Sequence, residues 1–450
     1  MSQLLTIARN TLVESLRQPV VILLILLSGV FQVFNTWTTG YAMGYDESAE
    51  VKGDDKLMLD VGMATVFVLG MLMAAFIATA AVSREIENKT VLTVVSKPVS
   101  RVTLILGKYL GVAGSLSVAV LTMLIFLMMG VRHGVMSTAA DVLDAPILCF
   151  GLGAVFISLV IGAWGNFYYG WSFGQTAAVL MLPLTLLAYV GALMFTKEWK
   201  PQPIWTDFKP QITLACSLLL LAILVMSSVA TAASTRLGQV MTIVVCSGVF
   251  VASLLSNHFV GRYAYSNQPI GQIASIKIEN PLRPGFDGAG DEAFVTLKQP
   301  PLSPVKPGSS FYFGPNPSGF DLAVEPFPAI EEVPSAYESL LQPGMPSRLV
   351  VTSAIAANLT VKQVGASPMA MRTLPVEGDF VFLQPTKRHN AALAVWSAFP
   401  NLHFFYLIDA VTQNQRIPLE YAFMAIGYSV LQIGAMLGLA VALFQTRDVG

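Results

Sequence analysis

Eight stretches of this chain are apolar for about as long as a membrane is thick, and that leaves little choice of fold. A hydrocarbon core of about 30 Å takes about 20 helical residues at 1.5 Å each. The runs lie near Val20–Trp37, Leu59–Val82, Val102–Gly130, Pro146–Trp164, Gly174–Phe195, Ile212–Ala232, Val240–His258 and Tyr421–Phe444. Within lipid each backbone amide must find its partner inside its own segment, so these runs are expected to be helices. Composition agrees: charged residues make up only 12% and apolar ones 54%, against about 25% charged in a soluble domain. The expected fold class is a polytopic α-helical membrane protein of about eight transmembrane helices. A net charge of -1 supplies no basic field for nucleic acid, which is excluded as a partner.

The link between the fourth and fifth runs, Gly165-Asn166-Phe167-Tyr168-Tyr169-Gly170-Trp171, holds no charge. It reads either as a tight cytoplasmic turn of interfacial aromatics or as part of a re-entrant pair. Ahead of the first run, Leu4, Leu5, Ala8, Leu12 and Leu16 form one stripe at 100° per residue over Met1–Gln18. That pattern suits a helix lying at the membrane surface, or one packing on a partner. No cleavable signal peptide is expected, because the first run is too long for one. Cys149, Cys216 and Cys246 all fall in apolar runs without metal or disulfide spacing, and read as small apolar fillers.

Basic residues orient the chain. Arg9 and Arg17 precede the first run, Arg84, Lys89, Lys97, Arg101 and Lys108 follow the second, Arg236 lies between the sixth and seventh, and Arg447 follows the last. Both termini cytoplasmic places all of these inside, at the cost of leaving Lys197, Lys200 and Lys209 outside. Between the seventh and eighth runs, Arg262–Thr412 departs from the membrane pattern and holds most of the 26 prolines. Ile273–Ile278, Phe294–Leu297 and Arg348–Thr352 read as strands, and Pro300, Pro301, Pro304 and Pro307 as turns or edges. The expected organisation is an amphipathic helix at 1–18, seven spans over 19–260, a β-rich extracytoplasmic insert at 261–412 before the last helix, and a final span with a cytoplasmic tail at 413–450.

The cytoplasmic link Ser83–Arg101 is acidic at its start, apolar at Val91, Leu92, Val94 and Val95, and stopped by Lys97-Pro98. It predicts a short helix parallel to the membrane, able to seat in a partner's groove. By spacing alone an ordinary charged loop is the better reading. The stretch resembles the signature of type-two ATP-binding-cassette (ABC) exporter permeases, including those similar to copper-processing and gliding-motility permeases, which runs approximately E-I-E-x-G-T-x-x-x-L-x-x-P-x-x-R, then G-K; here one residue more separates Thr90 from Val95. Glu85, Glu87, Thr90, Pro98, Arg101, Gly107 and Lys108 match; Lys89 stands at the usual glycine and Val95 at the usual leucine. Met1–Gln18 resembles that family's elbow helix, Asn401–Pro418 its external segment before the last span, and Phe444-Gln445-Thr446-Arg447-Asp448 its usual ending.

The resemblance implies a transport subunit that is not an enzyme and needs no cofactor. An ABC ATP-binding subunit would be its partner, meeting Glu85, Glu87, Lys89, Thr90, Lys97, Pro98 and Arg101. It further implies a second permease copy or related permease, a possible periplasmic partner, and residence in a bacterial inner membrane. No G-x-x-x-x-G-K-[ST] loop occurs, since Gly107-Lys108-Tyr109 lacks the upstream glycine and the hydroxyl. Two other classes remain open. A membrane receptor or scaffold would use the 261–412 insert and treat the spans as an anchor. An intramembrane enzyme would need clustered catalytic groups, but His133, His258, His389 and His403 are scattered and no HExxH or SxxK occurs. Asp60 and His258 lie near run ends, where solvation is a better account than substrate contact.

Overall fold

The computed structural model describes residues 2–39, 50–87, 100–136, 142–278, 286, 291–319, 322–324, 327, 347–365, 371, 373–407 and 417–445. Within them the chain forms two compact units, one of residues 1–254 with 400–450 and one of residues 255–399.

The first unit is helical. An N-terminal helix α1 (Ser2–Leu16) is followed by α2 (Pro19–Thr38), α3 (Glu50–Glu87), α4 (Arg101–His133), α5 (Ala145–Tyr169), α6 (Phe173–Leu193), α7 (Pro210–Ser234), α8 (Gln239–Ser256) and, far along the chain, α10 (Leu419–Gln445). All but α1 contain a stretch long and apolar enough to cross a membrane, eight in total among the described residues. Local chemistry sets their ends. Proline sits in the first turn of α2, α5 and α7, where its missing N–H costs nothing. Ser100 and Asp144 cap α4 and α5 by accepting from the amides of Thr103 and Ile147.

The aromatic link is mostly helix. α5 continues through Phe167, Tyr168 and Tyr169, and the chain reverses at Gly170, whose φ of 65° favours glycine. Two helices of 25 and 21 residues, each long and apolar enough to cross a membrane, therefore form a hairpin closed by a tight turn. Small residues make it close: at Gly162 a Cβ would lie 3.2 Å from that of Ala177. By contrast α3 and α4, at 38 and 33 residues, rise about 57 and 50 Å and overrun a hydrocarbon core of about 30 Å. α4 is central, with buried residues around its circumference. α5 and α10 instead expose large apolar side chains such as Phe156, Phe423 and Leu431, as lipid-facing helices do.

The second unit is a small β-barrel. Strands β2 (Gly271–Ile278), β3 (Glu292–Leu297), β4 (Tyr312–Gly314), β5 (Arg348–Ile355), β6 (Asn358–Val364) and β7 (Phe380–Phe382) form an antiparallel sheet in the order β4-β7-β2-β3-β6-β5. The three expected strands fall in β2, β3 and β5, and the proline run lies between β3 and β4. The sheet closes on itself. Just before β4, the amides of Gly308 and Phe311 donate to the carbonyls of Val351 and Leu349, and Val351 returns a bond to Ser309. One segment thus pairs with both edges, which removes exposed edge strands. Register shifts at Ile273/Ser275 and Val351/Ser353 supply the bends closure needs. Phe311 and Phe313 share one face of the closing segment, while Tyr312 on the other stacks on Phe327 at 4.5 Å. A two-residue ribbon joins β1 (Tyr265–Ser266) to β8 (Lys387–Arg388), bringing entry and exit together. Beside it α9 (Asn390–Ala398) buries Trp396 against Tyr265.

Asp379 opens β7 from a buried position, and its carboxylate accepts from the Val376 amide at 3.1 Å. Desolvation raises its pKa, and the amide bond offsets this only in part. A folded pKa above the unfolded one means that the folded barrel holds the proton more tightly. The linked stability is full below the unfolded pKa and is lost as pH rises through the folded one. Asp379→Asn keeps the acceptor and removes the charge. It is expected to raise the barrel's thermal midpoint by about 2–5 °C at neutral pH, converging with wild type near pH 4, in melts across a pH series.

Candidate coupling site

The candidate site divides at the boundary of the described residues. Lys89, Thr90, Lys97 and Pro98, and with them the expected helix at Val91–Val95, lie outside. Glu85 and Glu87 are placed by backbone in the last turns of α3, so the acidic start of the link continues that helix. Arg101 opens α4. What the structure describes in full is how the helices on either side of the link are held.

Arg101 reaches the end of α10. Its guanidinium donates to the Gln445 carbonyl at 2.8 Å and the Phe444 carbonyl at 3.4 Å, and lies 5.8 Å from the Phe444 ring centroid. Arg236, in the α7–α8 link, donates to the Leu443 carbonyl at 2.9 Å. Two cations therefore satisfy the orphan carbonyls at the negative end of the last helix. Arg236 entered the sequence argument only as an orientation charge. Its partner lies more than 200 residues away, beyond the reach of local pattern.

Lys108 is buried, with 4% of its surface exposed, and its ammonium donates to the Ala81 carbonyl of α3 at 2.6 Å. This ties the bases of α3 and α4 across the link. Gly107 has a different task. A Cβ there would lie 2.8 Å from Ile7 of α1, one at Gly111 would lie 2.5 Å from the Ala8 carbonyl, and one at Gly114 would lie 2.8 Å from Leu12. The three glycines form the seat on which α1 rests.

That seat takes up most of the expected stripe of α1. Leu16 is buried and Leu4, Ala8 and Leu12 are half-buried, whereas Leu5 is 61% exposed. Thr11 and Ser15 are buried and Ile7 packs against the core, so the inward face is shifted toward the glycine track. Arg17, at the end of α1, donates to Gln175 of α6 at 2.9 Å.

At the far end of α4 stands a cluster that the sequence argument missed. Arg132 lies about 36 Å from Lys108 at 1.5 Å per residue. Its side chain is 4% exposed and pairs with Asp144, 1% exposed, at 3.1 Å and with Asp207 at 3.2 Å. It also donates to the Phe195 carbonyl, and Gln202 donates to Asp207 at 2.6 Å. The loop whose lysines broke the charge pattern is thereby stitched to α4 and α5. Its Lys200 pairs with Glu198, and Lys197 donates to the His133 carbonyl. The segment before α10 is held as well: Leu402 donates to Ser253, Asn401 to the Tyr428 hydroxyl, and Tyr406 to the Asp60 carbonyl. Asp60 thus meets a tyrosine of the same unit.

These fixed ends coincide with a family pattern. Residues 5–163 match the family model described as ABC-2 family transporter protein. This third of the chain has the ABC-2 transporter pattern. The match runs from α1 through most of α5 and so includes the link, the glycine seat and Lys108. No curated protein and no solved structure matches the chain. Among the described residues no group of His, Cys, Asp or Glu is arranged to hold a metal ion.

Proposed function

We propose that the chain is the membrane-spanning permease subunit of an ABC exporter, driven by a separate ATP-binding subunit seated at Glu85–Arg101. The match over residues 5–163, with the order and spacing of Glu85 to Lys108 inside it, carries this reading. The likeness to copper-processing and gliding-motility permeases rests on that spacing alone and names no substrate.

In this reading both termini and the 84–101 link face the cytoplasm of a bacterial cell, and the barrel lies outside, open to a periplasmic partner. Two permeases pair around the path. ATP-driven closure of the partner pushes on the link, and the adjoining helices receive the push. Lys108 joins α4 to α3, the glycine seat joins α4 to α1, and Arg101 joins it to α10. A displacement at the link then travels as a rigid-body shift that biases two states of the spans.

Charge reversal tests the assignment. Glu87→Lys and Lys97→Glu are each expected to reduce co-purification of the ATP-binding subunit at least tenfold, since like-charge juxtaposition across an interface costs several kcal/mol and about 1.4 kcal/mol is already a factor of ten. The spans should keep their thermal stability. Full assembly and full ATP-dependent transport in both variants would sink the coupling assignment.

A further inference from the structure

α5 rests chiefly on α6 and stands away from α4, which leaves a groove between α2, α4 and α5. It holds about 490 Å³ and runs along α2 from Leu26 to Trp37, beside Phe126 to His133 of α4, Leu143 just ahead of α5, and Ile147 to Val155 of α5. Its walls are almost wholly apolar, and their few polar groups are already engaged. The Gln32 amide donates to the Gly62 carbonyl, and the Thr36 hydroxyl to that of Val33. Water needs two to four polar partners and finds few here. Phe34, Trp37 and Leu152 on the rim are more than half exposed, so the groove opens sideways, at the depth where a bilayer offers hydrocarbon.

Two measures narrow the occupant. The rise from Leu26 to Trp37 is about 16 Å at 1.5 Å per residue, close to half of a hydrocarbon core of about 30 Å, which is the depth of one monolayer. The groove's polar end carries charge. The exposed Lys197 ammonium lies 3.1 Å from the carbonyl of His133, a lining residue. Among the described residues no carboxylate pairs with Lys197, whereas the neighbouring Arg132 is taken up by Asp144 and Asp207. Trp37 stands at the same end, where indole rings favour the headgroup boundary.

We propose that this groove is a lipid site, holding one acyl chain of an anionic membrane phospholipid with its negatively charged headgroup beside Lys197. The assignment does not depend on ATP-driven transport, and its test measures binding alone.

The full-length protein is reconstituted in phosphatidylcholine vesicles doped with phosphatidylglycerol carrying a photoactivatable group in its acyl chain, and crosslinked peptides are mapped. Crosslinks are expected to concentrate on the groove walls of α2, α4 and α5. Val33→Trp, which fills the groove, should reduce them to the level on the lipid-facing side of α10 and leave that side unchanged. Lys197→Gln, at an exposed position, should keep the labelled positions but lower the preference for phosphatidylglycerol over a photoactivatable phosphatidylcholine about fivefold. Labelling spread evenly over all lipid-facing helices, or unaltered by Val33→Trp, would overturn the site. Crosslinks joining two protein copies through α2 and α5 in place of lipid would overturn it too. An unchanged preference in Lys197→Gln would remove the assignment of a net anionic headgroup to Lys197.

Discussion

Replacing Arg132 by methionine is expected to destabilise the helical bundle by about 3–5 kcal/mol, because it strands a buried carboxylate. Asp144 is 1% exposed and its countercharge is Arg132 at 3.1 Å. Asp207, at 37% exposure, can turn to water and should lose less. The guanidinium also serves the Phe195 carbonyl, so three elements depend on one side chain: α4, the start of α5 and the 194–207 loop. Lysine cannot present that many donors in one plane, and Arg132→Lys should recover only part of the loss. The informative comparison is the double variant Arg132→Met with Asp144→Asn. Asparagine can still cap α5 through the Ile147 amide, and removing both charges avoids most of the desolvation cost. Thermal unfolding of the purified protein should therefore rank wild type close to the double variant, and both well above Arg132→Met. If Arg132→Met melted within a degree or two of wild type, the cluster would have no structural role.

The architecture of the spans could be read from the sequence because membrane thickness fixes run length, whatever packs beside each run. The eight expected runs and the eight helices long and apolar enough to span among the described residues agree for that reason. Alternation marked β2, β3 and β5 in the same way. Closure of the barrel was not legible, because it depends on Gly308–Phe311 meeting β5 some 40 residues later. The coupling region shows the same divide. Its motif could be recognised locally, and Lys108 and Gly107 stood in it as adjacent letters. Their tasks are opposite: one side chain reaches α3, and the other is absent so that α1 can approach. Gly111 and Ser115, four residues apart, have the small-residue spacing that lets helices approach closely. The track instead runs Gly107, Gly111, Gly114, while Ser115 is buried and bonds within its own helix, to the Val112 carbonyl. Which residues a helix turns toward a neighbour depends on that neighbour's path, which one sequence window does not contain.

The glycine seat makes a graded prediction, and the grading is what identifies it. Within a helix, alanine is intrinsically better than glycine by about 1 kcal/mol, so three Gly→Ala changes in α4 should all stabilise if nothing lay against them. At Gly114 the added methyl meets Leu12 Cδ1 at 2.8 Å, the far end of a side chain that can rotate away. That variant is expected to be near neutral. At Gly107 it meets Ile7 at both Cγ2 and Cβ, with the Leu4 carbonyl behind at 3.3 Å, so part of α1 must shift. At Gly111 it meets backbone: the Ala8 carbonyl at 2.5 Å and the Leu12 nitrogen at 2.9 Å, with Thr11 Cβ at 2.6 Å. Backbone cannot rotate aside, so Gly111→Ala must lift α1 from α4, and overpacking of this kind costs about 1–3 kcal/mol. Amide exchange over Thr6–Leu12 measures the lifting directly. Exchange there should accelerate strongly in Gly111→Ala, less in Gly107→Ala and hardly at all in Gly114→Ala, while amides within α7 keep their protection. If α1 contributes to the seat of the ATP-binding subunit, co-purification of that subunit should fall in the same order. Equal protection in all three variants would mean that α1 does not bear on the glycines at all. Lifted α1 with undiminished assembly would leave the packing intact as a finding and remove α1 from the coupling surface.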